Sequence, residues 1–310
     1  MKARNAHVRT EENDGTQMET ETDIGDISRK KTLISILYFV TIVLFSGYMS
    51  IIVNDNVPDK SKHPPLPDAL LQYVASSRDQ IVFAHYVTAG ALVFLMTTMA
   101  ITVSLHKYRH VITRRYFSSI AFLFLWRNAS MMVTSLPVTH PESPCATQTD
   151  GSVPMRSKQA LEMILAFGAT TLSGVICGDY MYSGHTVSYL YMSVHITKYS
   201  QNFGKIFHPI CWAVAGIGIC SLIAAFNHYT MDVVVAVPLA LFCLTLHEVF
   251  AENPPLRKKY TIYRIFFPLL DYLEEDRNIS NAAITNDYDW HVVKLTVKRF
   301  VKRFCGTKQY

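Results

Sequence analysis

Charged side chains are scarce in this chain: of 310 residues, only 17% are Asp, Glu, Lys or Arg, while 50% are hydrophobic. One soluble core of this length does not need so much apolar surface, which argues against a water-soluble globule. Cysteine is sparse too, with six residues and no Cys-x-x-Cys pair, so nothing suggests a thiolate zinc module. A cleavable signal is also missing. Residues 1–26 are polar and mostly acidic, and the first apolar run begins only after Arg29, Lys30 and Lys31.

What is present is a series of long apolar runs. A membrane-crossing helix needs about 17–25 apolar residues. Residues 33–53 and 81–105 each supply such a run without a charge, and residues 116–137, 209–226 and 233–249 are further candidates, the first of them interrupted by Arg127. The net charge of +5 does not point to nucleic acid, because the Lys and Arg residues gather beside the apolar runs, where they set orientation. His106, Lys107, Arg109, His110, Arg114 and Arg115 follow the second run with no acid among them, which places that loop in the cytosol. The basic stretches before the first run and after Val249 place both termini there as well, and this requires an even number of crossings.

Residues 161–176 are apolar but short and broken by Thr170, Thr171 and Ser173, so they read as interfacial or re-entrant. The fourth crossing is then residues 184–199, whose Ser188, Ser193 and His195 require a bundle interior. The expected fold is all-α, a polytopic membrane protein of six transmembrane helices with cytosolic termini. Residues 1–32 form a disordered tail, 33–250 the membrane catalytic domain and 251–310 a basic tail.

This topology brings Asp179, His185, His228 and Asp232 to the outer face from separate parts of the chain. At helical spacing, the Asp232 carboxylate can accept a hydrogen bond from the His228 ring and raise its basicity, which makes His228 a nucleophile candidate. His185 follows Ser183-Gly184, a glycine turn opening a helix, where backbone amides can approach an anion. It is the acid and base candidate. Two alternatives remain open on the residues alone: ordinary interfacial histidines with Asp232 as a helix cap, or a zinc site, although no His-x-x-x-His spacing joins these residues. Tyr180, Tyr182, Phe226 and Tyr229 flank the site as either belt aromatics or a surface for a quaternary ammonium.

Cys177-Gly178-Asp179-Tyr180-Met181-Tyr182-Ser183-Gly184-His185-Thr186-Val187 and His228-Tyr229-Thr230-Met231-Asp232-Val233-Val234-Val235-Ala236 resemble the two signature blocks of the sphingomyelin synthase family. Pro64-Pro65-Leu66-Pro67-Asp68, and Arg127 with Ser130-Met131, Val133-Thr134 and Leu136-Pro137, resemble two weaker blocks in the same order. The resemblance implies a His185, His228 and Asp232 triad that passes phosphocholine from phosphatidylcholine to ceramide, releasing diacylglycerol and sphingomyelin, with no cofactor or metal. Asp179, Tyr180, Tyr182, Tyr229 and Arg127 are the residues expected near the substrate, Asp179 either contacting an ethanolamine amine or positioning His185, and the resemblance implies a Golgi or plasma-membrane setting with the site facing the lumen or exterior. Residues 1–32 are too few for the sterile-alpha-motif domain that some members carry. Phosphatidylethanolamine is the alternative donor, and the sequence leaves homo-oligomer formation open.

A wider resemblance links the chain to lipid phosphate phosphatases, but their Ser-Arg element is Ser221-Leu222 here. A phosphomonoester with nearly two charges wants that arginine, whereas a choline phosphodiester carries one charge balanced by its own cation. Cys145 and Cys177 are the two cysteines placed outside, where an oxidising lumen permits them to pair. Cys305, beside Lys302 and Arg303, is a candidate for palmitoylation.

Overall fold

The computed structural model of the chain describes residues 28–275 apart from 75–76, 142–144, 167, 169, 172–173 and 202–203, with the backbone alone at 170–171 and 204–205. Most of both expected tails, and Cys305, lie outside these residues. The main helices are α1 (Ser28–Asp55), α2 (Arg78–Ser104), α3 (Arg109–Val133), α4 (Val153–Leu165), α5 (Gly184–Tyr199), α6 (Gly204–Ala224) and α7 (Thr230–Glu252). α1, α2, α6 and α7 are long and apolar enough to cross a membrane. Exposed Leu33, Leu37, Phe83, Tyr86, Ile217 and Phe242 stud these helices, as suits a lipid-facing surface.

α5 is short, at 16 residues, but is buried almost all round, from Gly184 and Thr186 to Tyr199. It packs against α2, α3, α6 and α7, while α1 packs against α3 and α4. Its polar residues are therefore shielded by neighbouring helices, which is how a helix with Ser193 and His195 is tolerated among apolar ones. The 13-residue α4 is too short to cross. It leads into a two-residue hairpin, β1 (Thr170–Thr171) against β2 (Gly174–Val175). The stretch read as interfacial or re-entrant thus divides into a helix end and a turn.

The C-terminal segment departs from the expected tail. α8 (Pro254–Lys259), α9 (Tyr263–Phe266) and α10 (Leu270–Leu273) fold back onto the bundle, with Tyr263, Phe267 and Leu270 entering the same core as Phe250 and Leu244. The reason is electrostatic as well as apolar. Arg114 and Arg115 of α3 are buried, and Glu274 meets them at 3.5 and 3.0 Å. A pair of guanidinium groups inside a bundle demands such a carboxylate, and the basic character of residues 251–310 hid this one acid.

Candidate active site

Two helix starts define the site. Ser183 caps α5, its Oγ accepting from Thr186 N at 3.2 Å, and its own backbone N–H donates to the Asp232 carbonyl at 3.2 Å. That bond ties the first turn of α5 to the first turn of α7 and brings the two signature blocks together. His185 lies one residue into the α5 turn that Arg127 backs: a Cβ on Gly184 would stand 3.4 Å from Arg127 Nε, so this close approach leaves little room for a side chain. Gly178 has φ +82°, the left-handed region that favours glycine.

His228 and Asp232 pair as expected, Nδ1 to Oδ2 at 3.2 Å, both being buried. The route to that pair differs from the expectation. His228 is not on the helix: α7 begins at Thr230 with Tyr229 as its cap. Phe226, at φ 53°, bends the chain back after α6. Asp232 is the third helical residue, and it reaches back to accept from Tyr229 N at 3.0 Å and from the ring of His228 with the same oxygen. The pairing is that of a capping carboxylate rather than of one helix face.

Asp179 and Arg127 come together as an ion pair, Arg127 Nη2 to Asp179 Oδ2. Arg127 Nε also donates to the Tyr182 carbonyl at 3.3 Å, and Ser50 Oγ donates to Asp179 Oδ2 at 3.3 Å. A cavity of about 530 Å³ opens beside them. Arg127, Asp179, Gly184 and His185 line one end, and Phe39, Met96, Met99, Phe117 and Phe124 line the rest. Along α3 it reaches from Arg127 to Thr113, about 21 Å at the helical rise. His228 is not among the residues that line this cavity; it is held by Asp232, whose carbonyl accepts from Ser183 N. Among the described residues no group of three His, Cys, Asp or Glu is placed to hold a metal ion.

The aromatics expected near the substrate are packed into the protein. Tyr182 is buried, and its hydroxyl donates to the Leu123 carbonyl of α3. Tyr229 is buried as well, its hydroxyl donating to the Pro137 and Val138 carbonyls at 3.1 and 3.0 Å. Tyr180 packs edge-on to Tyr229, with ring centroids 5.4 Å apart, and stands 6.4 Å from His228. Burial pushes its hydroxyl up to about 12. Buried aromatics at a membrane boundary carry no sequence mark that separates a ligand surface from packing.

Residues that sequence reasoning missed lie on α1. Ser46 donates to Asn128 Oδ1 at 2.7 Å, Ser50 to Asp179, and Asn54 both accepts from Cys177 N at 3.0 Å and donates to the Ala146 carbonyl at 3.2 Å. A polar residue every fourth position along an apolar helix was the available signal. Cys145 and Cys177 are joined in a disulfide, so Asn54 grips both sides of the bridge that precedes the site.

Residues 176–249 match the family model described as PAP2 superfamily C-terminal. Sphingomyelin synthase-related protein 1 is 30% identical over 276 residues, 89% of this chain, covering 55% of the Mus musculus protein and 64% of the Homo sapiens one. Phosphatidylcholine:ceramide cholinephosphotransferase 1 of Homo sapiens is 34% identical over 207 residues, 66% of this chain and 49% of that protein. The chain thus spans less than two thirds of the length of each. Its segment from just after β2 through most of α7 carries the PAP2 match, and the chain is an integral membrane homologue of the sphingomyelin synthase-related and ceramide cholinephosphotransferase proteins.

Proposed function

We propose that this chain is a sphingolipid headgroup transferase of six membrane-spanning helices, α1, α2, α3, α5, α6 and α7, with cytosolic termini and its site on the lumenal or exterior face. It passes phosphocholine from phosphatidylcholine to the primary hydroxyl of ceramide. The observation that carries this reading is the juxtaposition of an apolar cavity with a polar end made of Arg127, Asp179 and His185, one backbone hydrogen bond away from the His228–Asp232 pair. An amphiphile with a zwitterionic head fits such a shape: apolar walls for chains, and a cation and an anion side by side for phosphate and ammonium. The relatives whose names specify ceramide cholinephosphotransfer support the same substrates.

The chemistry follows from the pair's geometry. Asp232 holds Nδ1–H of His228, which leaves Nε2 with its lone pair to attack phosphorus. The P–N bond forms, the bond from phosphorus to the diacylglycerol oxygen breaks, and His185 gives that oxygen its proton. His185 then takes the proton of the ceramide hydroxyl, whose oxygen attacks phosphorus and restores His228. Keeping water out of the cavity favours transfer over hydrolysis.

Purified protein in vesicles, given fluorescent ceramide and either donor phospholipid, tests the reading. Sphingomyelin formed from phosphatidylcholine, and lost in His228→Ala, is the expected result. Exclusive use of phosphatidylethanolamine would move the assignment to ceramide phosphoethanolamine synthesis, and release of free phosphate without ceramide would move it to a lipid phosphatase.

A further inference from the structure

The Pro64-Pro65-Leu66-Pro67-Asp68 segment lies far from His228 in sequence but ends on the same helix start. Asp68 Oδ2 accepts from the backbone N–H of Thr230 at 2.7 Å, and Oδ1 accepts from its hydroxyl at 2.6 Å. The same carboxylate closes its own turn through Leu70 N and Leu71 N at 2.9 and 3.1 Å. Two residues earlier, Leu66 N donates to the Tyr229 hydroxyl at 3.1 Å. The outer loop is therefore fastened to both residues that follow His228.

The first turn of a helix exposes N–H groups that need acceptors. In α7 two carboxylates share this work: Asp68 takes Thr230, and Asp232 takes Tyr229. Only Asp232 also holds the imidazole. Without Asp68, the Thr230 amide and hydroxyl lose their partner, and Asp232 becomes the remaining carboxylate in that turn. Any swing of Asp232 toward Thr230 lengthens its contact with His228 Nδ1.

Resting on the proposed role of His228, we propose that Asp68 is a positioning residue for the transfer reaction: by occupying the α7 N-terminus from the first outer loop, it reserves Asp232 for His228. The proline-rich run is the strut that delivers it, since Pro64, Pro65 and Pro67 restrict the backbone on either side of Leu66.

The experiment compares Asp68→Ala, Asp68→Asn and Thr230→Val with the unaltered chain in vesicles, recording kcat, donor KM and thermal midpoint. Asp68→Ala lowers kcat by about 10–100-fold, the scale of losing an outer support of a reacting group, with donor KM within about threefold of the original value. Asp68→Asn keeps an acceptor oxygen and recovers part of the loss. Adding Thr230→Val to Asp68→Ala costs little more, because the hydroxyl it removes has already lost its Asp68 acceptor. Unchanged kcat in Asp68→Ala overturns the inference, and so does a loss of activity that only tracks a fallen thermal midpoint or that asparagine does not relieve. His228→Ala is the control: if it keeps its activity, the reading of the site has failed; if it is inactive while Asp68→Ala is normal, only the role of Asp68 has failed.

Discussion

Ser183 donates its backbone N–H to the carbonyl of Asp232 at 3.2 Å, so the helix that presents His185 and the helix that orients His228 begin at one point. This contact is not strong alone, since a single neutral hydrogen bond contributes only about 0.5–1.5 kcal/mol net. Its value lies in register. Ser183 and Asp232 belong to segments that are separated by the whole of α5 and α6, and a shift of either helix along its axis would separate the two histidines.

Asp232→Asn is expected to keep the fold and lose the chemistry. An amide in place of the carboxylate still approaches His228 but no longer holds Nδ1–H with a full charge, so transfer falls by about 10²–10⁴-fold, as for other histidines deprived of an orienting carboxylate. Transfer to fluorescent ceramide, with a thermal midpoint near that of the unaltered protein, checks this. Undiminished transfer would show that Asp232 is only a cap.

Glu274→Ala is expected to destabilise the membrane domain although it lies beyond α7. It leaves Arg114 and Arg115 buried without their closest carboxylate, a loss of about 3–5 kcal/mol when a buried pair is broken from one side. Truncation after Ala251 removes Glu274 together with Tyr263, Phe267 and Leu270 and is expected to unfold the bundle. Thermal melting in detergent checks both; a truncated chain as stable as the full one would refute the packing role of residues 254–275.

Reduction of the Cys145–Cys177 bridge is expected to loosen the loop before the site. The bridge spans a sequence separation of 32, and a closure of that order contributes about 2–4 kcal/mol. Cys145→Ser and Cys177→Ser should lower the thermal midpoint equally, and the double substitution no further. Additive losses would mean that the cysteines act separately.

Asp68 supplies the pH dependence of the outer contacts. Burial acts to raise its pKa, but bonds from Thr230 and from the Leu71 and Leu70 amides outweigh it and hold the carboxyl below its ordinary 3.8. A carboxyl depressed on folding contributes stability above its unfolded value that is lost as pH falls through the folded one. Amide exchange at Thr230, corrected for its intrinsic rate, should therefore keep its protection from neutrality down to 3.8. Loss of protection at a higher pH would show that another group controls the contact.

The four long apolar helices α1, α2, α6 and α7 were legible because lipid imposes long apolar runs and basic residues mark their ends. Boundaries shifted by a few residues, most consequentially at α7, where a start at Thr230 left His228 in the preceding turn. The pairing of His228 with Asp232 was legible from spacing, but spacing does not distinguish a helical face from a capping carboxylate. The partners of Arg127 were not legible, since an arginine in an apolar run announces that it needs an anion without saying which. Asp68 illustrates the same limit. Its proline-rich setting marks a rigid loop, but its landing place on Thr230 depends on how α7 packs beneath it.

The most direct test omits the acceptor. Protein in vesicles is given phosphatidylcholine labelled in the headgroup, without ceramide, and is quenched in base so that an acid-labile P–N bond survives. The account predicts one diacylglycerol released per labelled protein, label mapping to His228, and its discharge to product when ceramide is added. Label that never enters the protein while transfer proceeds, or that remains in His228→Ala, would contradict it.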